Sequence, residues 1–92
     1  MKDLSQCRSE IDAIDRQLVA LFEQRMQTAR DVAVYKHAHQ LDILDASREQ
    51  LVLDSRAAMA QDETLRPAVA ELFSAVMALS RKEQQKWIDS LG

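Results

Sequence analysis

The first third of the chain carries a repeating apolar pattern that is typical of one long α-helix. Between Asp3 and Ala38 no Gly or Pro interrupts the sequence. Apolar side chains recur there at alternating steps of three and four, namely at Leu4, Cys7, Ile11, Ile14, Leu18 and Leu21. The pattern predicts a very long first helix, from about Asp3 to Ala38, spanning roughly 50 Å at about 1.5 Å per residue.

An arginine and a threonine occupy two of the positions where this apolar seam should continue. The next positions in the same count are Arg25, Thr28, Val32 and Tyr35. A charged side chain on a buried face is costly unless something pairs with it. Since no acid of this helix lies on the seam beside Arg25, we predict that an anionic ligand is the missing partner.

Two further helices are predicted after residues 37–44, where the apolar period is lost. Asp45 is a good N-cap and is followed by an apolar run, so the second helix should start there. A polar turn follows at 61–64. The third helix should start near Arg66, with Pro67 at or close to its first position, where a missing N–H costs nothing.

Two polar residues interrupt the apolar stripe of the third helix. The stripe comprises Val69, Leu72, Phe73, Val76, Met77, Ser80, Gln84, Trp87 and Ile88. Ser80 and Gln84 stand four residues apart, on adjacent turns of one face. They would be ordinary surface residues if the stripe were drawn differently, and candidate site residues if it is drawn correctly.

Length and composition favour one all-α domain over residues 1–92, with few and short connections. A chain of this size buries only a thin core, so the long apolar seam needs a second chain to cover it. We therefore expect three helices per chain in an intertwined homodimeric bundle.

Charge, hydropathy and cysteine content argue against several other classes of protein. The net charge of −3 gives no reason to expect nucleic-acid binding, and no stretch is long and apolar enough to span a membrane. A single cysteine cannot form an intrachain disulfide, and no signal peptide is visible, so a cytoplasmic location is expected. His37 and His39 lack further clustered ligands, and no metal site is expected.

Taken singly, most of the charged residues that could form a site have ordinary structural explanations. Arg8 suits a solvated surface, Lys36 favours the helix dipole, and Arg48 and Glu49 are common first-turn charges. Arg25 and Lys36 are eleven residues apart and share a face, about 16 Å apart along the axis. Arg8 lies about 25 Å from Arg25, so it could reach the same small molecule only from the other chain of an antiparallel dimer.

The joint spacing of eight polar residues resembles the active-site pattern of the small all-helical chorismate mutases. They are Arg8, Arg25, Lys36, Asp45, Arg48, Glu49, Ser80 and Gln84. The resemblance covers nearly the whole chain. It implies an intertwined homodimer with two equivalent sites that rearranges chorismate to prephenate, on the route to phenylalanine and tyrosine, without a metal or cofactor.

The same resemblance implies roles for the residues around the substrate's carboxylates and ether oxygen. Arg8 of the partner chain and Arg25 would clamp the two carboxylates, and Ser80 would lie near one of them. Lys36 and Gln84 would donate to the ether oxygen, where negative charge builds in the transition state.

At the other end of the substrate, the resemblance implies that Glu49 accepts from the ring hydroxyl. Arg48 would support that end, and the Asp45 backbone would also meet the hydroxyl. In this family a Pro, and an arginine or aromatic residue, often precede the equivalent of Asp45. Residues 40–44 lack them, and this difference affects the rigidity of the loop and the closure of the site.

Three alternatives stay open from the sequence. The chain is also similar to the isochorismate-pyruvate lyases, although an acid placed like Glu49 favours chorismate. It could be a non-catalytic helical dimerisation module, but such a module has no need of Arg25 on the seam or of Ser80 and Gln84 on the stripe. It could also activate another enzyme of the pathway.

Overall fold

A computed structural model describes residues 1–91, which form three α-helices and no strand. Helix α1 spans Leu4–Ala38, α2 spans Ala46–Met59 and α3 spans Arg66–Ser90, with a short 3-10 turn at Glu63–Leu65. The predicted all-α class, with three helices and a very long first one, is confirmed. Helix α3 packs against both α1 and α2, and it therefore holds the other two helices together.

Side-chain caps explain why the helices begin where the sequence predicted. The Asp3 carboxylate accepts the backbone N–H of Gln6 at 2.8 Å, and the Gln6 side chain accepts the Asp3 N–H at 3.1 Å. Asp45 Oδ1 accepts the Arg48 N–H at 3.0 Å at the start of α2. Pro67 lies in the first turn of α3.

Helix α1 ends in a left-handed turn at a residue that is not glycine. Gln40 has a φ of 57°, and its N–H bonds to the His37 carbonyl at 3.3 Å. The Leu41 N–H bonds to the Lys36 carbonyl at 2.8 Å, which completes a Schellman motif. This turn sends residues 41–45 back beside the end of α1.

Replacing Gln40 with glycine is expected to stabilise the fold by about 0.5–1 kcal/mol. A Cβ in the left-handed region costs about 1–2 kcal/mol, and the extra chain freedom of glycine offsets part of the gain. Urea denaturation of the purified protein measures the change. Gln40→Ala keeps the Cβ and is the control; equal stability of the Gly and Ala variants would contradict the prediction.

The core is thin and lies where the second half of α1 meets the other helices. Its buried apolar residues are Met26, Ala29, Ala33, Val52 and Met77. The molecule measures 55 × 26 × 14 Å, so its shortest dimension is close to one helix diameter.

The apolar seam of the first half of α1 lies outside this core. Its large side chains expose 54–63% of their surface, namely Leu4, Ile11, Ile14, Leu18 and Leu21. Farther along, Tyr35 is also exposed and stacks on the His39 ring, with centroids 4.0 Å apart. A single chain therefore leaves the apolar face of α1 in water.

Candidate active site

A cavity of about 280 Å³ opens between the second half of α1, the loop before α2, the first turns of α2 and the middle of α3. All of the predicted site residues except Arg8 line it. The complete lining is Arg25, Thr28, Ala29, Val32, Lys36, Ile43, Asp45, Arg48, Glu49, Val52, Met77, Ser80, Arg81 and Gln84. The α1 residues recur at helical spacing, so one face of α1 forms one wall.

Arg25 is half-buried in this wall and makes no ion pair within the described residues 1–91. Burial, followed by the nearby positive charges of Arg56 and Arg48, lowers the pKa of its guanidinium from the usual value. The charges that act most on the Arg25 guanidinium are thus of the same sign as its own. The negative charge of an anion in the cavity would offset both the desolvation cost and the repulsion.

Lys36 is half-buried at the end of α1, and its Nζ donates to the Ile43 carbonyl at 2.8 Å. This bond ties the loop after α1 back to the helix. It uses one of the three N–H donors of the ammonium group, so two can serve a ligand.

Asp45 serves as a cap and as a local negative charge at the mouth of the cavity. Its Oδ1 accepts the Arg48 N–H at 3.0 Å and the Ser47 hydroxyl at 2.9 Å. These two hydrogen bonds, and then the nearby charges of Lys36 and Arg48, lower the pKa of the Asp45 carboxyl. Asp45 therefore uses Oδ1 to fix the start of α2.

Ser80 and Gln84 are both buried, as the predicted stripe of α3 requires. Gln84 Nε2 donates to Ser80 Oγ at 2.9 Å. Gln84 Oε1 is buried and has no hydrogen-bond partner among residues 1–91. A buried amide atom without a partner is costly, so a ligand atom or a reorientation of the amide would be needed to pair it.

The sequence did not single out Arg81 or Arg56 as part of this arrangement. The Arg81 guanidinium forms an ion pair with Glu49 Oε1, and both side chains line the cavity. Arg56 lies close enough to Arg25 to act on its pKa. Arg81 directly follows Ser80, and Arg56 lies two turns after Glu49, but neither spacing reveals a contact between separate helices.

Arg8 lies on the exposed first half of α1, away from the cavity of its own chain. Arg8 does not line this cavity, as expected from the sequence-based argument that it cannot reach a ligand held by Arg25 of the same chain.

Within residues 1–91 no group of three or more His, Cys, Asp and Glu residues is arranged to hold a metal ion. Across the same residues, no helix is both long enough and apolar enough to cross a membrane.

Comparison with known proteins gives a family and two relatives. The family profile described as chorismate mutase type II matches residues 7–85. The chain is 41% identical over 56 residues to the T-protein of Haemophilus influenzae, a match that covers 61% of this chain and 15% of that protein. It is 39% identical over 71 residues to a monofunctional chorismate mutase of Enterobacter agglomerans, covering 76% of this chain and 39% of that protein. No solved structure gives a significant match.

Proposed function

Because the chain belongs to the chorismate mutase type II family, we propose that it rearranges chorismate to prephenate, in the biosynthesis of phenylalanine and tyrosine. The observation that carries the proposal is one small cavity lined by Arg25, Lys36 and Arg48. Arg81 also lines the cavity but is paired with Glu49. The three other cations around a cavity of about 280 Å³ suit a small dianionic substrate. The monofunctional relative, by its name, has this activity.

The chemistry explains why cations and neutral donors suffice. In this one-step pericyclic rearrangement a C–O bond breaks as a C–C bond forms, and no nucleophile or proton transfer is needed. A protein can hold the substrate in its compact reactive conformer and stabilise charge on the breaking ether oxygen. Arg25 would bind one carboxylate with its planar fork, and the buried hydroxyl of Ser80 would lie near it.

Lys36 and Gln84 would donate to the ether oxygen. Lys36 keeps two N–H donors beside its bond to Ile43. The Gln84 amide would turn over by about 180°, so that Ser80 Oγ–H donates to Oε1 and the amide nitrogen faces the cavity. This orientation would pair the orphan oxygen and supply the second donor.

Glu49 and Arg48 would meet the ring-hydroxyl end of the substrate, beside the backbone of Asp45. An ionised carboxylate accepts hydrogen bonds and donates none, so Glu49 suits a hydroxyl placed next to it. Isochorismate carries its hydroxyl at a different ring carbon. Glu49 therefore favours chorismate mutase over the alternative, an isochorismate-pyruvate lyase.

A homodimer would complete each site with Arg8 of the partner chain. The support is physical: the seam of α1 exposes five large apolar side chains, and Arg8 lies on the same uncovered half of the helix. Burying such a face on association is strongly favourable. Sedimentation at micromolar concentration is expected to give a dimer, and a stable folded monomer would rule out the shared site.

An absorbance assay on the purified protein tests the activity. Chorismate and isochorismate are offered separately. Prephenate from chorismate supports the mutase, whereas salicylate and pyruvate from isochorismate, with little prephenate, would identify the lyase. A folded dimer that turns over neither compound would point to a non-catalytic module or to an activator of another enzyme.

A further inference from the structure

An ion pair between α2 and α3 lines the cavity. One member, Glu49, is proposed to meet the ring hydroxyl of the substrate, whereas its partner Arg81 has no role in the proposed chemistry. The pair joins Glu49 Oε1 to the Arg81 guanidinium, across 32 residues of sequence. The side chain of Glu49 is 24% exposed and that of Arg81 is 35% exposed. Both line the cavity beside Ser80 and Gln84, so the pair belongs to the wall that a ligand meets.

The geometry of a carboxylate explains what this pair can do. Glu49 has several rotatable bonds, and the charges of Arg48 and Arg25 in the same cavity offer it other partners. Arg81 holds one of its oxygens, Oε1, from a different helix. The other oxygen keeps its acceptor sites, and its direction is restricted because turning the carboxylate toward another cation would break the ion pair.

We propose that Arg81 is a positioning residue that aims the Glu49 carboxylate at the ring hydroxyl of the substrate, and so helps to select chorismate by the place of that hydroxyl. The inference rests on the proposed function. Arg81 acts through Glu49 and does not itself contact the reacting atoms.

The expected kinetic signature follows from the chemistry of the hydroxyl. The hydroxyl takes no part in bond breaking, so its hydrogen bond to Glu49 is equally strong in the bound substrate and in the transition state. Such uniform binding affects KM and leaves kcat nearly unchanged. Arg81→Met should therefore raise KM for chorismate about tenfold, since a hydrogen bond to a charged group is worth about that factor or more.

The experiment measures kcat and KM for chorismate and for an analogue that lacks the ring hydroxyl. Arg81→Met should raise the chorismate KM and leave the KM of the analogue unchanged, whereas Arg81→Lys should recover most of the loss. Lys82→Met is the matched control, because it removes the same charge at an exposed neighbouring position. In a Glu49→Gln background, Arg81→Met should add little.

The outcomes distinguish failure of the Arg81 positioning role from failure of the proposed mutase activity. A KM for chorismate that is unchanged in Arg81→Met, or one that rises equally for the analogue, would overturn the positioning role while wild-type turnover upholds the mutase. If the wild type makes no prephenate, the proposed function fails, and the role of Arg81 fails with it. Thermal unfolding checks the variants, and Arg81→Gln replaces Arg81→Met in the same test if the latter does not fold.

Discussion

Replacing Lys36 with alanine is expected to lower kcat/KM for chorismate by about 10²–10³, with most of the loss in kcat. The ether oxygen gains negative charge only as its bond to carbon breaks, so its donor binds the transition state more tightly than the substrate. Lys36 is suited to this task because the Ile43 carbonyl already fixes its ammonium group at the cavity wall. Such a donor needs no reorganisation at the moment of reaction.

Initial-rate kinetics on matched preparations measure this loss. Lys82→Ala removes an equal charge from the exposed side of α3 and should leave both constants close to those of the wild type. Circular dichroism and sedimentation show whether the alanine variant keeps its fold and assembly. A variant with an intact fold, a raised KM and an unchanged kcat would show that Lys36 binds the ground state and does not stabilise developing charge.

Mixing two inactive variants, Arg8→Ala and Arg25→Ala, is expected to restore activity. In the proposed assembly, each homodimer would lack one of the two proposed carboxylate clamps in both sites. In a mixed dimer, the chain that carries Arg8→Ala keeps Arg25 and receives an intact Arg8 from its partner, so one site is complete. Random exchange makes about half of the dimers mixed, and these have one working site of two, so activity should reach about a quarter of the wild-type value.

A second mixture is the matched control for this complementation. Arg25 and Lys36 line the same cavity of one chain. A dimer of Arg25→Ala with Lys36→Ala therefore has one defect in each site, and its activity should stay low. Recovery in the control, or none in the first mixture after refolding the chains together, would contradict the delivery of Arg8 from the partner chain.

Much of the fold was readable from local rules. The capping of α1 by Asp3 and of α2 by Asp45 depends on neighbours three residues away, which the sequence displays directly. The stripe of α3 predicted the burial of Ser80 and Gln84, because helical spacing alone decides which residues share a face. Spacing along the chain does not determine the packing angles between helices. The prediction that seven residues share one site therefore depended on the family resemblance.

The features that escaped prediction depend on contacts between elements. The ion pair of Arg81 with Glu49 joins residues on different helices, and no periodicity relates them. The left-handed conformation of Gln40 was hidden because glycine, its usual signal, is absent from that position. The seam beyond Arg25 was expected to be buried, but Thr28 and Val32 are exposed at the cavity, because burial there depends on what a ligand or a second chain covers.

The crowding of Arg25 by Arg48 and Arg56 links the stability of the fold to the anions in solution. In the folded chain, burial and then the positive charges of Arg56 and Arg48 lower the pKa of Arg25, so its charged form is disfavoured relative to the unfolded chain. Any anion that enters the cavity binds the folded state preferentially, and at about a hundred times its dissociation constant it adds about 2.7 kcal/mol to the free energy of unfolding. Sulfate or phosphate in a buffer would therefore both raise the melting temperature of the protein and compete with the substrate for the cavity.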